Sequence, residues 1–129
     1  MKIKEISAIV EKTKTGFSAY AEKYNVYTTG ATFTELLANI TEALNLYFED
    51  QNIVIKPNQV KFHIDLKQFF QHYKVLNARY LADRIGMNAT LLSQYVQGRK
   101  IPSEKQTEKI LLGIQEIGRE LSDVSLFTH

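Results

Sequence analysis

Residues 80–103 read YLADRIGMNATLLSQYVQGRKIPS. Leu81, Ala82 and Ile85 fall at the spacing of one buried helical face, so a first helix is expected to run to about Ile85. Ala82 is small enough for a second helix to cross close by. Gly86 follows at once, and glycine turns a corner at positive φ without steric cost. Asn88 is a suitable N-cap for a second helix, which runs to about Gln97 and stops at Gly98. Leu92, Tyr95 and Val96 are its inward residues. Thr90, Ser93, Gln94 and Gln97 are left facing out. Two helices around a glycine-containing turn make a helix-turn-helix. Gln and Asn side chains pair with adenine in a major groove, and Ser or Thr with several bases. Arg99 and Lys100 sit past the helix end, where phosphates would lie. Pro102 breaks the chain before the next helix. An ordinary helical hairpin inside a core is the other reading of the same spacing.

The run resembles the Xre/Cro family of repressors over roughly Leu66 to Leu121. The resemblance implies base reading by Asn88, Ala89, Thr90, Ser93 and Gln94, and phosphate contact by Arg99 and Lys100. Gln97 joins this DNA-facing set from its outward position. Leu91 lies where the family has a polar or small residue, so it meets a thymine methyl or simply packs. The implied ligand is a double-stranded DNA operator, read by a homodimer or higher homo-oligomer.

Composition is that of an ordinary globular chain: 129 residues, 44% hydrophobic, 23% charged, net charge +2. No run of roughly 18 apolar residues is present, so no membrane partner is expected. The start, MKIKEISAIVEK, lacks the apolar core of a secretory signal. The absence of cysteine removes disulfides and thiolate metal sites, and fits a cytoplasmic protein. Charge is unevenly spread. Residues 1–60 hold six Lys against seven acids, whereas 61–129 hold ten Lys or Arg against seven acids. The basic excess lies in the half that carries the helix pair, as phosphate binding requires.

Upstream, Lys2 to Glu11 is rich in Ile and Val and predicts a strand. KTKTG (12–16) is a turn, FSAYAE (17–22) a second strand and YNVYTT (24–29) a third. Thr32-Phe33-Thr34-Glu35 is a capping box that starts a helix to about Asp50. Phe33, Leu36, Leu37, Ile40, Ala43, Leu44 and Tyr47 form its apolar face. The expectation is an α+β chain: a small β-β-β-α domain at 1–59, then an all-α, five-helix-type helix-turn-helix domain at 60–129. QNIVIKPNQ (51–59) reads as a short strand or linker, and VKFHI (60–64) as one more strand or part of that linker. Asp65 caps a helix to about Lys74, whose Phe69 and Phe70, with Tyr73, should pack on the helix-turn-helix. Ser103 caps a last helix to about Leu121 with Ile110, Ile114, Ile117 and Leu121 as its stripe. Val124, Leu126 and Phe127 form an apolar tail suited to docking, on its own core or on a second subunit. A sheet covered by one helix leaves a face or edge open, which suits dimerisation or a partner.

The run TTGATFTELLANITEAL (28–44) resembles the antitoxins of HicB type. Thr28, Gly30, Thr32, Glu35, Asn39, Glu42 and Ala43 carry the pattern, and GFSAYAEKY before it extends the likeness over Ile3 to about Glu49. The resemblance implies a reduced ribonuclease H fold that holds a small HicA-type toxin, itself an mRNA-cleaving ribonuclease, and blocks it by covering its active site. Tyr20, Tyr24 and Tyr27 are the candidate partner-binding residues, since tyrosine is favoured in interfaces. Their other reading is half-buried strand packing.

No catalytic residue is assigned. A nuclease of that fold needs carboxylates converging on divalent metals, and residues 1–49 contain no aspartate. Glu35 caps a helix, and Glu42 and Glu49 lie on its polar side. His63, His72 and His129 have no ligand-like spacing, so neither metal nor cofactor is expected. The sequence therefore points to a type II antitoxin that represses its own operon. Two alternatives stay open. One is a helix-turn-helix regulator whose N-terminal domain dimerises or senses a ligand, and the other is a degraded nuclease with residual activity.

Overall fold

The computed structural model describes residues 3–125. The chain forms two compact units that divide between His72 and Tyr73. Among the described residues, five α-helices and four strands make it an α+β protein.

The first unit opens with β1 (Ile6–Lys12), β2 (Phe17–Ala21) and β3 (Val26–Gly30). Burial in β1 alternates strictly. Ile6, Ala8 and Val10 are buried, while Ser7, Ile9 and Glu11 face out, as one covered sheet face demands. β1 and β2 pair antiparallel with Val10 opposite Ala19, and β2 and β3 with Tyr20 opposite Tyr27. Helix α1 (Phe33–Tyr47) covers the inner face. Its Leu36, Ile40 and Leu44 are fully enclosed with Ala8, Ala19 and Ala21, alanines whose small side chains let the helix approach closely. The Thr32 hydroxyl accepts from the Glu35 amide at 3.2 Å, which is the hydroxyl half of the expected box. Burial of three such aliphatic side chains is worth roughly 5–9 kcal/mol, against about 1 kcal/mol for the cap. Packing therefore holds α1 in place, and the cap sets where it begins.

β4 (Val60–Ile64) completes the sheet in the order β3-β2-β1-β4. It runs parallel to β1, with Ala8 opposite Phe62 and Val10 opposite Ile64. A parallel neighbour needs a long crossover, and α1 with residues 48–59 supplies it. The Asn45 amide pins that crossover. Its Nδ2 donates to the Ile55 carbonyl at 3.0 Å and its Oδ1 accepts from the Ile55 amide at 2.7 Å. Helix α2 (Leu66–His72) follows. Asp65 caps it by accepting from the Gln68 amide at 3.1 Å. The Gln68 side chain accepts from Lys12 N–H at 2.8 Å and donates to Lys12 C=O at 2.7 Å, extending the β1 ladder by one side chain.

Four expectations change here. The three-strand domain is a four-stranded sheet. The expected boundary after Gln59 falls inside the first unit, because β4 and α2 are fastened to β1. Phe70 is buried and α2 lies against β1, so this helix belongs to the sheet layer. Tyr24 also lies outside β3. Residues Glu22–Tyr24 form a 3-10 turn closed by Asn25 at φ 53°.

Residues 60–129, expected to hold five helices, contain four α-helices among the described residues: α2 and, in the second unit, α3 (Ala78–Ile85), α4 (Ala89–Val96) and α5 (Glu104–Ser122). Leu81, Ala82, Leu92, Tyr95 and Ile110 are the second unit's buried hydrophobic residues. α5 crosses α3 where Gly113 is buried, and a Cβ there would stand 2.3 Å from Ile85 Cγ2. Arg84 of α3 pairs with Glu116 at 3.6 Å and with Glu120 of α5. Val124 is exposed, while Leu126, Phe127 and His129 lie outside the described residues. Among the described residues, no helix is long and apolar enough to cross a membrane.

Candidate nucleic-acid interface

Helices α3 and α4 end on the same backbone device. After α3, Gly86 takes φ 69°, its N–H donates to Asp83 C=O at 3.3 Å, and Met87 N–H reaches Ala82 C=O at 2.9 Å. After α4, Gly98 takes φ 76°, its N–H donates to Tyr95 C=O at 3.1 Å, and Arg99 N–H reaches Gln94 C=O at 2.9 Å. Each is a Schellman closure that satisfies terminal carbonyls with a glycine in the left-handed region. The first turns the chain from α3 into α4. The second fixes the backbone of Arg99 and Lys100 against the end of α4, since the Lys100 N–H also approaches Gln94 C=O at 3.3 Å.

Asparagine side chains start both helices. Asn77 Oδ1 accepts from Tyr80 N–H and Asn88 Oδ1 from Leu91 N–H, each at 3.1 Å. The Asn77 cap escaped the sequence reading, although an asparagine just before an amphipathic run is its usual sign. Asn88 is committed as a cap through Oδ1, which leaves its Nδ2 hydrogens as the groups available to a ligand.

Leu92 and Tyr95 are buried and Val96 is half-buried, so the inward side of α4 is as expected. Asn88, Ala89, Thr90, Gln97, Arg99 and Lys100 are exposed, and Ser93 and Gln94 are half-buried. All eight therefore lie along one helix and its immediate exit, with Thr90, Ser93, Gln94 and Gln97 on the side away from Leu92 and Tyr95 and Asn88 and Ala89 at the helix start. The Gln97 amide does not stand free. Its Nε2 donates to Ser93 Oγ at 3.2 Å. Arg99 and Lys100 make no salt bridge among the described residues, so two cations with fixed backbones close the row.

The three tyrosines do not form one surface. Tyr20 and Tyr27 face each other across β2 and β3 on the uncovered side of the sheet. The Tyr20 hydroxyl donates to Asn25 Oδ1 at 3.0 Å, and Tyr27 is 61% exposed. Ile9 of β1 and His63 of β4 continue this cross-strand row. Tyr24 packs instead among the rings of Phe48 (4.9 Å) and Tyr47 (6.0 Å), against the helix side of the core. Among the described residues, no group of three or more His, Asp or Glu is arranged to hold a metal ion. No protein-family model matches the chain, and no curated protein or solved structure matches it.

Proposed function

We propose that this chain is an antitoxin-type repressor. The second unit is a helix-turn-helix that reads operator DNA through α4, and the first unit holds a small mRNA-cleaving toxin by steric contact. One observation carries the DNA half. α4 buries Leu92 and Tyr95 and presents Thr90, Ser93, Gln94 and Gln97 on the other side, with Arg99 and Lys100 at its exit. Hydroxyl and amide groups in such a row match base edges, and the two cations match phosphates. The sheet face bearing Tyr20 and Tyr27 supports the partner-binding half. That same open face also favours a second reading, in which the first unit merely dimerises and the chain is a simple regulator.

The deciding experiment is co-expression with the product of the neighbouring reading frame, followed by copurification and a growth assay. Formation of a complex that relieves growth arrest supports the antitoxin reading. A neighbour that neither copurifies nor arrests growth removes the toxin and leaves the regulator. Fluorescence anisotropy with the duplex upstream of the gene tests DNA binding separately. Binding no tighter than to an unrelated duplex of equal length removes the repressor as well.

A further inference from the structure

Four hydroxyls on the described helices have an i,i+4 hydrogen bond, and one differs in sense. Thr41, Thr107 and Ser122 each donate their proton to the carbonyl four residues back, at 2.7, 3.0 and 2.8 Å. This is the ordinary helical arrangement. Ser93 instead accepts from Gln97 Nε2, at 3.2 Å. A hydroxyl has one proton and two lone pairs. With one lone pair held by Gln97, the Ser93 proton points away from that amide and has no acceptor among the described residues.

We infer that Gln97 acts through Ser93, holding its hydroxyl with the proton outward so that α4 presents a hydrogen-bond donor, and that this pair selects a base carrying a major-groove acceptor. The inference rests on the reading of α4 as a DNA-binding helix. Guanine offers N7 and O6, thymine O4 and adenine N7, whereas cytosine offers only the N4 amino donor. Cytosine is therefore the base this pair rejects. Gln97 is the positioning residue of this pair, acting on the base through Ser93.

The test begins with selection of duplexes by the full-length protein from a random pool. Competition binding then follows, with all four base pairs at each selected position. The parent should disfavour cytosine at one position by roughly tenfold. Ser93→Ala should abolish that discrimination. Gln97→Lys keeps a donor toward Ser93 and should retain it. Gln97→Glu supplies an acceptor, so the Ser93 proton turns inward, a lone pair turns outward and the preference shifts toward cytosine. The shift is read relative to the other bases, because the added negative charge weakens binding to every duplex. An unchanged preference in Gln97→Glu, or loss at a different position from that of Ser93→Ala, overturns the inference while leaving DNA binding intact. If the parent selects no sequence at all, the DNA-binding reading falls and this inference falls with it. Both side chains are solvent-accessible, and circular dichroism of each variant confirms that α4 is retained.

Discussion

Gly113 and Gly118 both stand on α5, and a methyl group added to each meets different surroundings. At Gly118 nothing lies within 4 Å of the new carbon. Alanine there should stabilise the protein by about 0.5–1 kcal/mol, because it restricts the unfolded chain and favours the helix. At Gly113 the same change drives a methyl into Ile85 Cγ2. Overpacking of this kind costs about 1–3 kcal/mol, enough to cancel or exceed the helix gain. Thermal melts should therefore place Gly113→Ala clearly below Gly118→Ala, at or below the parent. A Gly113→Ala protein as stable as Gly118→Ala would show that α5 does not press on α3 there. Ile85 directly precedes Gly86, so strain at Gly113 is transmitted to the turn that aims α4. A base-reading role for Gln94 is tested at this scale too. Gln94→Ala should weaken operator binding by about 1–3 kcal/mol and relax preference at one base pair, measured by competition with single-position operator variants.

Among the elements, α4 carries the proposed DNA-reading row, and it has only eight residues. A helix that short is marginal without its ends and its packing. The Asn88 cap contributes about 1 kcal/mol. Asn88→Ala should lower stability by that amount, whereas Asn88→Ser keeps a cap oxygen and should lose only a few tenths. Urea titration distinguishes them through a shift in midpoint at constant slope. Operator binding by Asn88→Ser then isolates whatever the Asn88 Nδ2 group contributes to DNA. Elements of this kind were legible from sequence because their signals are local. Thr32, Asp65, Asn88 and Ser103 each announce a helix start, and each accepts the amide three residues on. The exposure of the α4 row followed from the same local periodicity. β4 was ambiguous because its partner β1 lies more than fifty residues upstream, as in the pairing of Gln68 with Lys12 at a separation of 56. No pattern inside VKFHI states that a parallel neighbour awaits it. Tyr24 was misread as strand because its β-propensity was outweighed by the left-handed turn at Asn25. The Ser93–Gln97 bond was invisible because spacing places two side chains together without saying which one donates.

For the whole molecule, the division at His72 makes a claim about folding that the boundary expected after Gln59 would contradict. β1 has neighbours on both sides, β2 and β4. A chain ending at Gln59 loses β4, the Gln68 clamp on Lys12 and the buried Leu66 and Phe70. It also leaves the β1 edge open, with unpaired backbone groups that invite association. Residues 1–72 should therefore unfold in one cooperative transition as a soluble species, and residues 1–59 should aggregate or melt without cooperativity. Circular dichroism melts with analytical ultracentrifugation check this, and a well-behaved 1–59 fragment would show β4 to be dispensable. Charge follows the same division. Residues 1–72 hold eight Lys or Arg and eight acids, while 73–129 hold eight and six, so the net positive charge belongs to the unit with α4. A net excess of two is too small to bind duplex DNA through a diffuse field, and affinity must come from a few placed cations. On the proposed reading Arg99 and Lys100, exposed and held at the α4 exit, supply them. Lys100→Ala should weaken binding to operator and unrelated duplexes by the same factor. It should also reduce the slope of log affinity against log salt by about one, read from anisotropy titrations across a salt series. A loss confined to the operator would make Lys100 a base-reading residue, and an unchanged slope would move the phosphate contact to another part of the unit.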